Sequence, residues 1–258
     1  MKILAINSSF RGDNGCTKFL IDKILEGAAE KKAECENVNL VSLKINRCTG
    51  CRMCQSKKHY LKCIHDDDAQ IVFSKMKEAD IIIFATPIYV LGISSLLKTL
   101  LERMYSTCKM NISKITDSGL PFHHIDKDLS SKPFVFLITC DNPSRETTKA
   151  AETFFKTYAK FTDSRIAGML IRRTCALIWH WKNSKSEKTF SMVSDICDAY
   201  IQAGRELADT GTIKPQTQRK VNKAIINVPP FFKQLIKLDF VKKRVEKVSS
   251  KIMNTPDM

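Results

Sequence analysis

Four cysteines fall within one short stretch: Cys48, Cys51, Cys54 and Cys63. The first three are spaced C-x2-C-x2-C, which lets three thiolates converge on one small object, as in the cysteine runs of ferredoxins. A structural zinc more often draws on two C-x2-C knuckles far apart in the chain. On spacing alone an iron-sulfur cluster, redox-active free thiols and a zinc site all stay open. A second stretch, Asn7 to Thr17 (NSSFRGDNGCT), is a polar, glycine-containing loop between a strand pattern and a helix pattern. Free backbone N–H groups and the helix dipole make such a place an anion site, and Ser9, Arg11 and Thr17 add donors. The loop has neither GxGxxG nor P-loop spacing, which argues against an ordinary dinucleotide or ATP fold. A solvated turn with a helix cap is the plainer alternative. The third stretch, Thr86-Pro87-Ile88-Tyr89-Val90-Leu91-Gly92, carries no charge, one phenol and one glycine. It suits a flat aromatic ligand, although an ordinary αβ crossover has the same composition.

The elements that must position these loops read as alternating strands and helices. Lys2 to Ile6 is a first strand, followed by an amphipathic helix carrying Phe19, Leu20, Ile24 and Leu25. Val38 to Ile45 alternates apolar residues and reads as a second strand. The unbroken run Ile81-Ile82-Ile83-Phe84-Ala85 suits a strand covered on both faces. Thr86-Pro87 is expected to end its ladder, since proline cannot donate, and the apolar loop after it is expected to be covered. Ile93, Leu96, Leu97, Leu100, Leu101 and Met104 recur at helical spacing. Phe134 to Thr139 is a fourth strand, running into the turn Thr139-Cys140-Asp141; Glu146 to Phe161 is a helix, Ile166 to Ile171 a fifth strand, and Ser191 to Ala208 a closing helix. The order predicts a doubly wound five-stranded parallel α/β sheet, 2-1-3-4-5, with helices on both faces and the ligand at the carboxyl edge of the strands. Asp66-Asp67-Asp68 read as ordinary caps of the helix carrying Ile71, Val72 and Met76. Tyr105 to Ser131, with Phe122-His123-His124, reads as a lid or dimer arm. Trp179-His180-Trp181 reads as surface packing or as a contact to substrate or partner.

Thr86 to Arg103, TPIYxxGxxxxLKxLLER, resembles the flavin-ring loop of the NADPH-dependent FMN reductases and flavodoxin-like oxidoreductases. Residues 7–17 resemble that family's N-G-S-P-R…N-T phosphate loop, with Phe10 in place of the usual Pro and Cys16 in place of the usual Asn. The C-x-G-C-x-x-C segment, followed by Cys63 after a longer gap, is similar to the iron-sulfur flavoprotein branch. The resemblance covers residues 1–210 and implies a flavodoxin-like fold. It implies FMN, with its phosphate at Ser9, Arg11, Gly15, Cys16 and Thr17. The ring would lie along Thr86, Pro87, Ile88, Tyr89, Val90, Leu91 and Gly92, with Thr139, Cys140 and Asp141 on the same edge. It further implies a [4Fe-4S] cluster on Cys48, Cys51, Cys54 and Cys63, NAD(P)H as electron donor, and a homo-oligomer. No general acid or base is nominated, because hydride and electron transfer need positioning and electronic tuning more than proton shuttling.

At 258 residues and 43% hydrophobic, the chain is long enough for one α/β domain plus an appendage. No apolar run approaches the roughly 18–20 residues of a membrane span, and MKILAINSSF reads as a strand rather than a signal peptide. The expected location is the cytoplasm, with the ten cysteines as reduced thiols or metal ligands. The expected division is 1–210, a flavin-binding domain with a cysteine-rich insertion at 46–68, and 211–258, a basic tail. That tail holds nine Lys and two Arg against two Asp and one Glu, a balance of +8 out of the net +15. Pro229-Pro230 is expected to start a helix with Phe231, Leu235, Leu238, Val241, Val245, Val248 and Ile252 on one stripe. Its expected use is docking on its own domain or a dimer partner, ahead of a membrane surface, with nucleic acid last. Two other function classes remain: a non-enzymatic flavoprotein electron carrier, and a basic membrane- or nucleic-acid-binding module on an α/β scaffold.

Overall fold

The computed structural model describes residues 1–178, 187–225, 235 and 238–253. Trp179, His180 and Trp181 lie outside them. The chain forms two compact units, Met1–Ile225 and Ile226–Met258. In the larger unit, five parallel strands run β2 (Glu34–Asn39), β1 (Lys2–Asn7), β3 (Ile81–Tyr89), β7 (Phe134–Thr139) and β8 (Ile166–Arg172) across the sheet. Counted in chain order, the parallel strands are arranged 2-1-3-4-5. A two-residue strand, β4 (Gly92–Ile93), folds back antiparallel on the end of β3.

Successive strand residues point to opposite faces, and this divides the core in two. Ile3, Ala5, Ile81, Ile83, Val135 and Leu137 pack against α1 (Cys16–Glu30) and the helix Glu187–Thr210. Leu4, Ile6, Ile82, Phe84, Phe136 and Ile138 pack against α2 (Ala69–Glu78), α3 (Ser95–Arg103) and α4 (Glu146–Phe161). Because both faces are covered, the middle strands are apolar without alternation.

Two expectations are corrected. The second strand is Glu34–Asn39, not Val38 to Ile45; residues 40–42 make a 3-10 turn. This edge strand reads ECENVN, with Val38 as its one buried residue, so its apolar signal is nearly absent. Pro87 does not end the β3 ladder, since Thr86 pairs with Ile138 and Pro87 with Thr139. The Ala85 carbonyl accepts from Ser8 N, so Ala85 and, two residues on, Pro87 face the β1 side, where β1 has already ended. The missing N–H therefore costs no ladder bond. Within Tyr105 to Ser131, expected as a lid or dimer arm, β5 (Cys108–Ile115) and β6 (Pro121–Ile125) form an antiparallel hairpin, closed where Thr116 N donates to Leu120 O and Gly119 adopts φ +75°. His123 and His124 sit on β6, and Phe122 packs on Phe161 at 4.8 Å between centroids.

The larger unit continues past Gly211, where the composition changes: Ile213 and Val221 are fully buried in the first core. In the smaller unit the helix Asp239–Met253 is present. Pro229, Pro230 and Phe231, where that helix was expected to start, lie outside the described residues. No described helix is long and apolar enough to cross a membrane.

Candidate functional site

The carboxyl ends of β1, β3 and β7 meet at one edge, and short polar bonds lock their loops together. Ser8 donates from both N and Oγ to Ala85 O, at 3.0 and 2.8 Å. Thr17 Oγ1 and Thr139 Oγ1 lie 2.8 Å apart, joining the start of α1 to the end of β7. Asn7 Nδ2 donates to Gly12 O and to Asn39 Oδ1, while its Oδ1 accepts from Ser9 N. Within the loop Arg11 N donates to Ser9 Oγ at 3.2 Å. No side chain caps the N-terminus of α1, so its first N–H groups face the loop with the positive end of the helix dipole. A Cβ on Gly15 would lie 3.0 Å from Ser9 Oγ and 3.2 Å from Arg11 Cβ, so this position keeps a small cradle open. Ser9, Arg11, Gly15 and Thr17 are thus brought together at the start of α1. Cys16 instead meets the buried Cys175, whose thiol pKa is pushed well above the ordinary value by that contact and by burial.

The residues of the third stretch divide into two sets. Thr86 is buried; its Oγ1 accepts from Ser94 N at 2.9 Å, and Ser94 Oγ in turn caps α3 by accepting from Leu96 N. Tyr89, Val90 and Leu91 form the tip of the β3–β4 hairpin, and the expectation that these apolar residues are covered does not hold within the chain: Val90 is fully exposed and Leu91 65% exposed. Both turn residues have positive φ, 46° and 64°, a sparsely populated region for a β-branched side chain. Tyr89 touches Phe10 of the β1 loop at 5.8 Å between ring centroids. Beside the pair lies a cavity of about 950 Å³, lined by Arg11, Ile93, Lys98 and Phe154 among others. Cys140 and Asp141 tie loops together: Asp141 Oδ1 accepts from Ala176 N at 2.7 Å, and burial pushes the Cys140 thiol up to about 11.

Cys48, Cys51, Cys54 and Cys63 line a different, smaller cavity together with His65, Arg103 and Tyr105. The chain coils around it through three left-handed residues, Gly50, Arg52 and Leu61. Among the described residues, no three Cys, His, Asp or Glu side chains are gathered as they would be around one metal ion. The Cys51 thiol is held below its usual range by the Met53 backbone N–H and the Thr49 hydroxyl, whereas burial pushes Cys54 up.

Sequence reasoning missed the clamp that closes this coil. Asp68 gives α2 no side-chain cap, and Asp67 does more than cap it. Asp67 Oδ1 accepts from Ala69 N, while its Oδ2 accepts from Asn46 N, Asn46 Nδ2 and Arg103 Nη1, the last at 2.6 Å; Asp68 Oδ2 accepts from Lys44 N. The Asp67–Arg103 pair is fully buried. Burial alone would push the Asp67 carboxyl up, but these hydrogen bonds outweigh it and hold its pKa at about 2. Burial likewise works against the charged Arg103, which Asp67 and Cys63 favour. A signal was present: Arg103 follows Leu96 by seven and Leu100 by three, so it falls on the buried stripe of α3. From its N-cap Ser94, beside Thr86, α3 runs nine residues to Arg103, on the cysteine cavity. At about 1.5 Å per residue the two places lie about 13 Å apart along the helix.

The chain matches the model of the NADPH-dependent FMN reductases over residues 1–158. It is 39% identical over 103 residues to an iron-sulfur flavoprotein of Methanocaldococcus jannaschii, covering 40% of this chain and 51% of the relative. An iron-sulfur flavoprotein of Methanosarcina thermophila is 34% identical over 103 residues, 40% of this chain and 52% of the relative. The chain therefore spans about half the length of the curated relatives it matches. Among solved structures, an FMN-dependent NADH-azoreductase of Bacillus anthracis in complex with FMN superposes with a TM-score of 0.54 at 13% identity, covering 81% of this chain and 100% of that one. An NAD(P)H:quinone oxidoreductase of Methanothermobacter marburgensis does so with a TM-score of 0.50 at 13% identity, covering 80% and 96%. These likenesses carry the fold; the match over residues 1–158 carries the family. The chain belongs to the NADPH-dependent FMN reductase family.

Proposed function

We propose that this chain is an FMN-dependent oxidoreductase that takes electrons from NAD(P)H and passes them to a small-molecule or protein acceptor. The observation that carries this reading is the convergence of an open, uncapped helix N-terminus, Ser9, Arg11 and Thr17 with the Tyr89 hairpin on one sheet edge. The residues fit the monophosphate of FMN: one anion cradle, kept open at Gly15, and no second dinucleotide motif. Bound there, FMN supplies two-electron hydride acceptance and one-electron release. The chain's part is to bind the phosphate through Arg11 and the α1 N–H groups and to offer the ring the uncharged backbone of residues 86–92.

Arg11→Ala is expected to weaken FMN binding by about 10- to 150-fold, about 1.5–3 kcal/mol for a lost charge-assisted hydrogen bond. Fluorescence titration of the apoprotein measures this, and an unchanged affinity would remove Arg11 from the site. Steady-state oxidation of NADPH with a quinone acceptor tests the activity. Tight FMN binding without turnover would favour the electron-carrier reading.

We further propose that Cys48, Cys51, Cys54 and Cys63 hold a [4Fe-4S] cluster. An all-sulfur donor set on one cavity fits such a group. So do three buried nitrogens without partners on its wall, Arg103 Nε, Arg103 Nη2 and His65 Nε2. Anaerobic reconstitution is expected to give about four iron and four sulfide per chain, and Cys51→Ser to abolish both. Full flavin with no iron would leave the free-thiol reading.

The exposed, strained hairpin tip supports a homo-oligomer in which a second copy covers Val90 and Leu91. Size-exclusion chromatography with light scattering is expected to show an assembly larger than the monomer, and Val90→Asp to shift it toward the monomer.

A further inference from the structure

Arg103 is 1% exposed, yet its guanidinium is only half used. Nη1 donates to Asp67 Oδ2 at 2.6 Å and to Asn46 O at 2.8 Å. Nε and Nη2 are buried and have no partner. These two form the side edge of the guanidinium, whose parallel N–H groups make a two-pronged donor. Leaving such donors idle in the interior is costly, more so on a charged group, and native structures rarely do it. The same guanidinium stands on the wall of the four-cysteine cavity. From the cavity side the guanidinium meets the Cys63 thiol, itself one of the four sulfurs, and an anionic group bound by the four would answer the Nε–Nη2 edge.

We propose that Arg103 is a positioning residue for the four-cysteine centre: its Nε–Nη2 edge donates N–H···S hydrogen bonds to the sulfur-bound [4Fe-4S] group and so favours the reduced, more negative state, while Asp67, through Nη1, sets the direction of that edge. This rests on the cluster reading above. Hydrogen bonds to sulfur and nearby net charge are the protein's means of setting a cluster's reduction potential. Reduction adds one electron from the titrant and makes or breaks no covalent bond. Arg103 lies at the end of α3 remote from Thr86, so the device adjusts the cysteine centre without contact to the loop at 86–92.

The test is a redox titration of the anaerobically reconstituted full chain, read by the electron paramagnetic resonance of the reduced cluster, with iron and sulfide assayed on the same samples. Arg103→Lys keeps a cation for Asp67 but loses the two-pronged edge. It is expected to retain iron and to show at least a tenfold lower ratio of reduced to oxidised cluster at fixed solution potential, which is 59 mV for one electron. Asp67→Asn removes a carboxylate charge from the same pair and is expected to shift the ratio the opposite way. A purely structural clip predicts lower stability in both variants with no shift, or shifts of the same sign, and either result with full iron overturns the proposal. If Arg103→Lys does not fold, the Asp67→Asn titration decides alone: a raised ratio supports the proposal, and an unchanged or lowered one overturns it. Wild-type chain that takes up no iron and sulfide removes the cluster reading, and this proposal with it.

Discussion

Asp67→Ala is expected to lower the stability of the folded chain by about 3–5 kcal/mol, because it leaves the Arg103 charge buried without its partner. Asp67 and Arg103 are 0% and 1% exposed, and Asp67 also collects the Asn46 and Ala69 N–H groups. One residue therefore fastens both ends of the cysteine coil, 46 and 67, to the end of α3. The pair also fixes a pH dependence. Asp67 is depressed from 3.8 to about 2 on folding. A depressed acid stabilises the folded state fully above its unfolded pKa, and this contribution is lost as pH falls through the folded value. Urea midpoints of the wild type should thus fall between pH 4 and pH 2. In Asp67→Asn the midpoint should be lower at neutral pH, and this part of the slope should be missing. Equal slopes in the two proteins would show that Asp67 is not the titrating group.

Gly204→Ala is the second change with a large expected effect. A Cβ at Gly204 would lie 1.8 Å from Ile24 O, and one at Gly27 would lie 1.9 Å from Ile201 O. At this crossing α1 and the helix Glu187–Thr210 touch backbone to backbone, so no flexible side chain can swing aside. Both helices cover the first core, through Ile24, Ala28, Tyr200 and Ala203. Separating them to admit a methyl group opens gaps along that interface, an overpacking cost of about 3 kcal/mol or more. Gly92→Ala is the contrast, since its Cβ would meet only Tyr89 O at 3.9 Å. Thermal unfolding should show a large loss of Tm for Gly204→Ala and Gly27→Ala and almost none for Gly92→Ala. Comparable Tm values in all three would mean that the helices do not pack this closely.

Where burial produced a long apolar run, the sequence was readable. Ile81 to Ala85, Phe134 to Thr139 and Glu146 to Phe161 lie where hydrophobic pattern puts them, and the sheet order follows from them. The edge strand was not readable, because Glu34–Asn39 has one buried residue and the stronger apolar signal, Leu40 to Ile45, belongs to turns and loop. The reach of β3 past Pro87 was hidden for another reason. Whether a proline breaks a ladder depends on which neighbour its missing N–H would face, and that is known only once β1 is seen to end at Asn7. At the candidate site, the loop between β1 and α1 was legible because it is contiguous: a strand, a polar loop and a helix start. The bonds that complete it were not, since Ser8 to Ala85 and Thr17 to Thr139 join residues far apart in sequence. The Asp67–Arg103 clamp and the Gly27–Gly204 crossing are likewise long-range; the place of Arg103 on the buried stripe of α3 hints at the first, but the sequence does not name its partner. The covered loop expected from Val90 and Leu91 is an exposed tip instead, which places its cover, if a second copy supplies it, outside the chain.

The central claim is that the edge formed by β1, β3 and β7 binds FMN. The visible spectrum of the anaerobically purified chain, with the released chromophore identified after denaturation, tests it most directly. The account predicts flavin bands, a chromophore that chromatographs as FMN at about one per chain, and a broad iron-sulfur shoulder beneath the bands. A colourless protein that takes up no added FMN, or one that releases FAD, would contradict it.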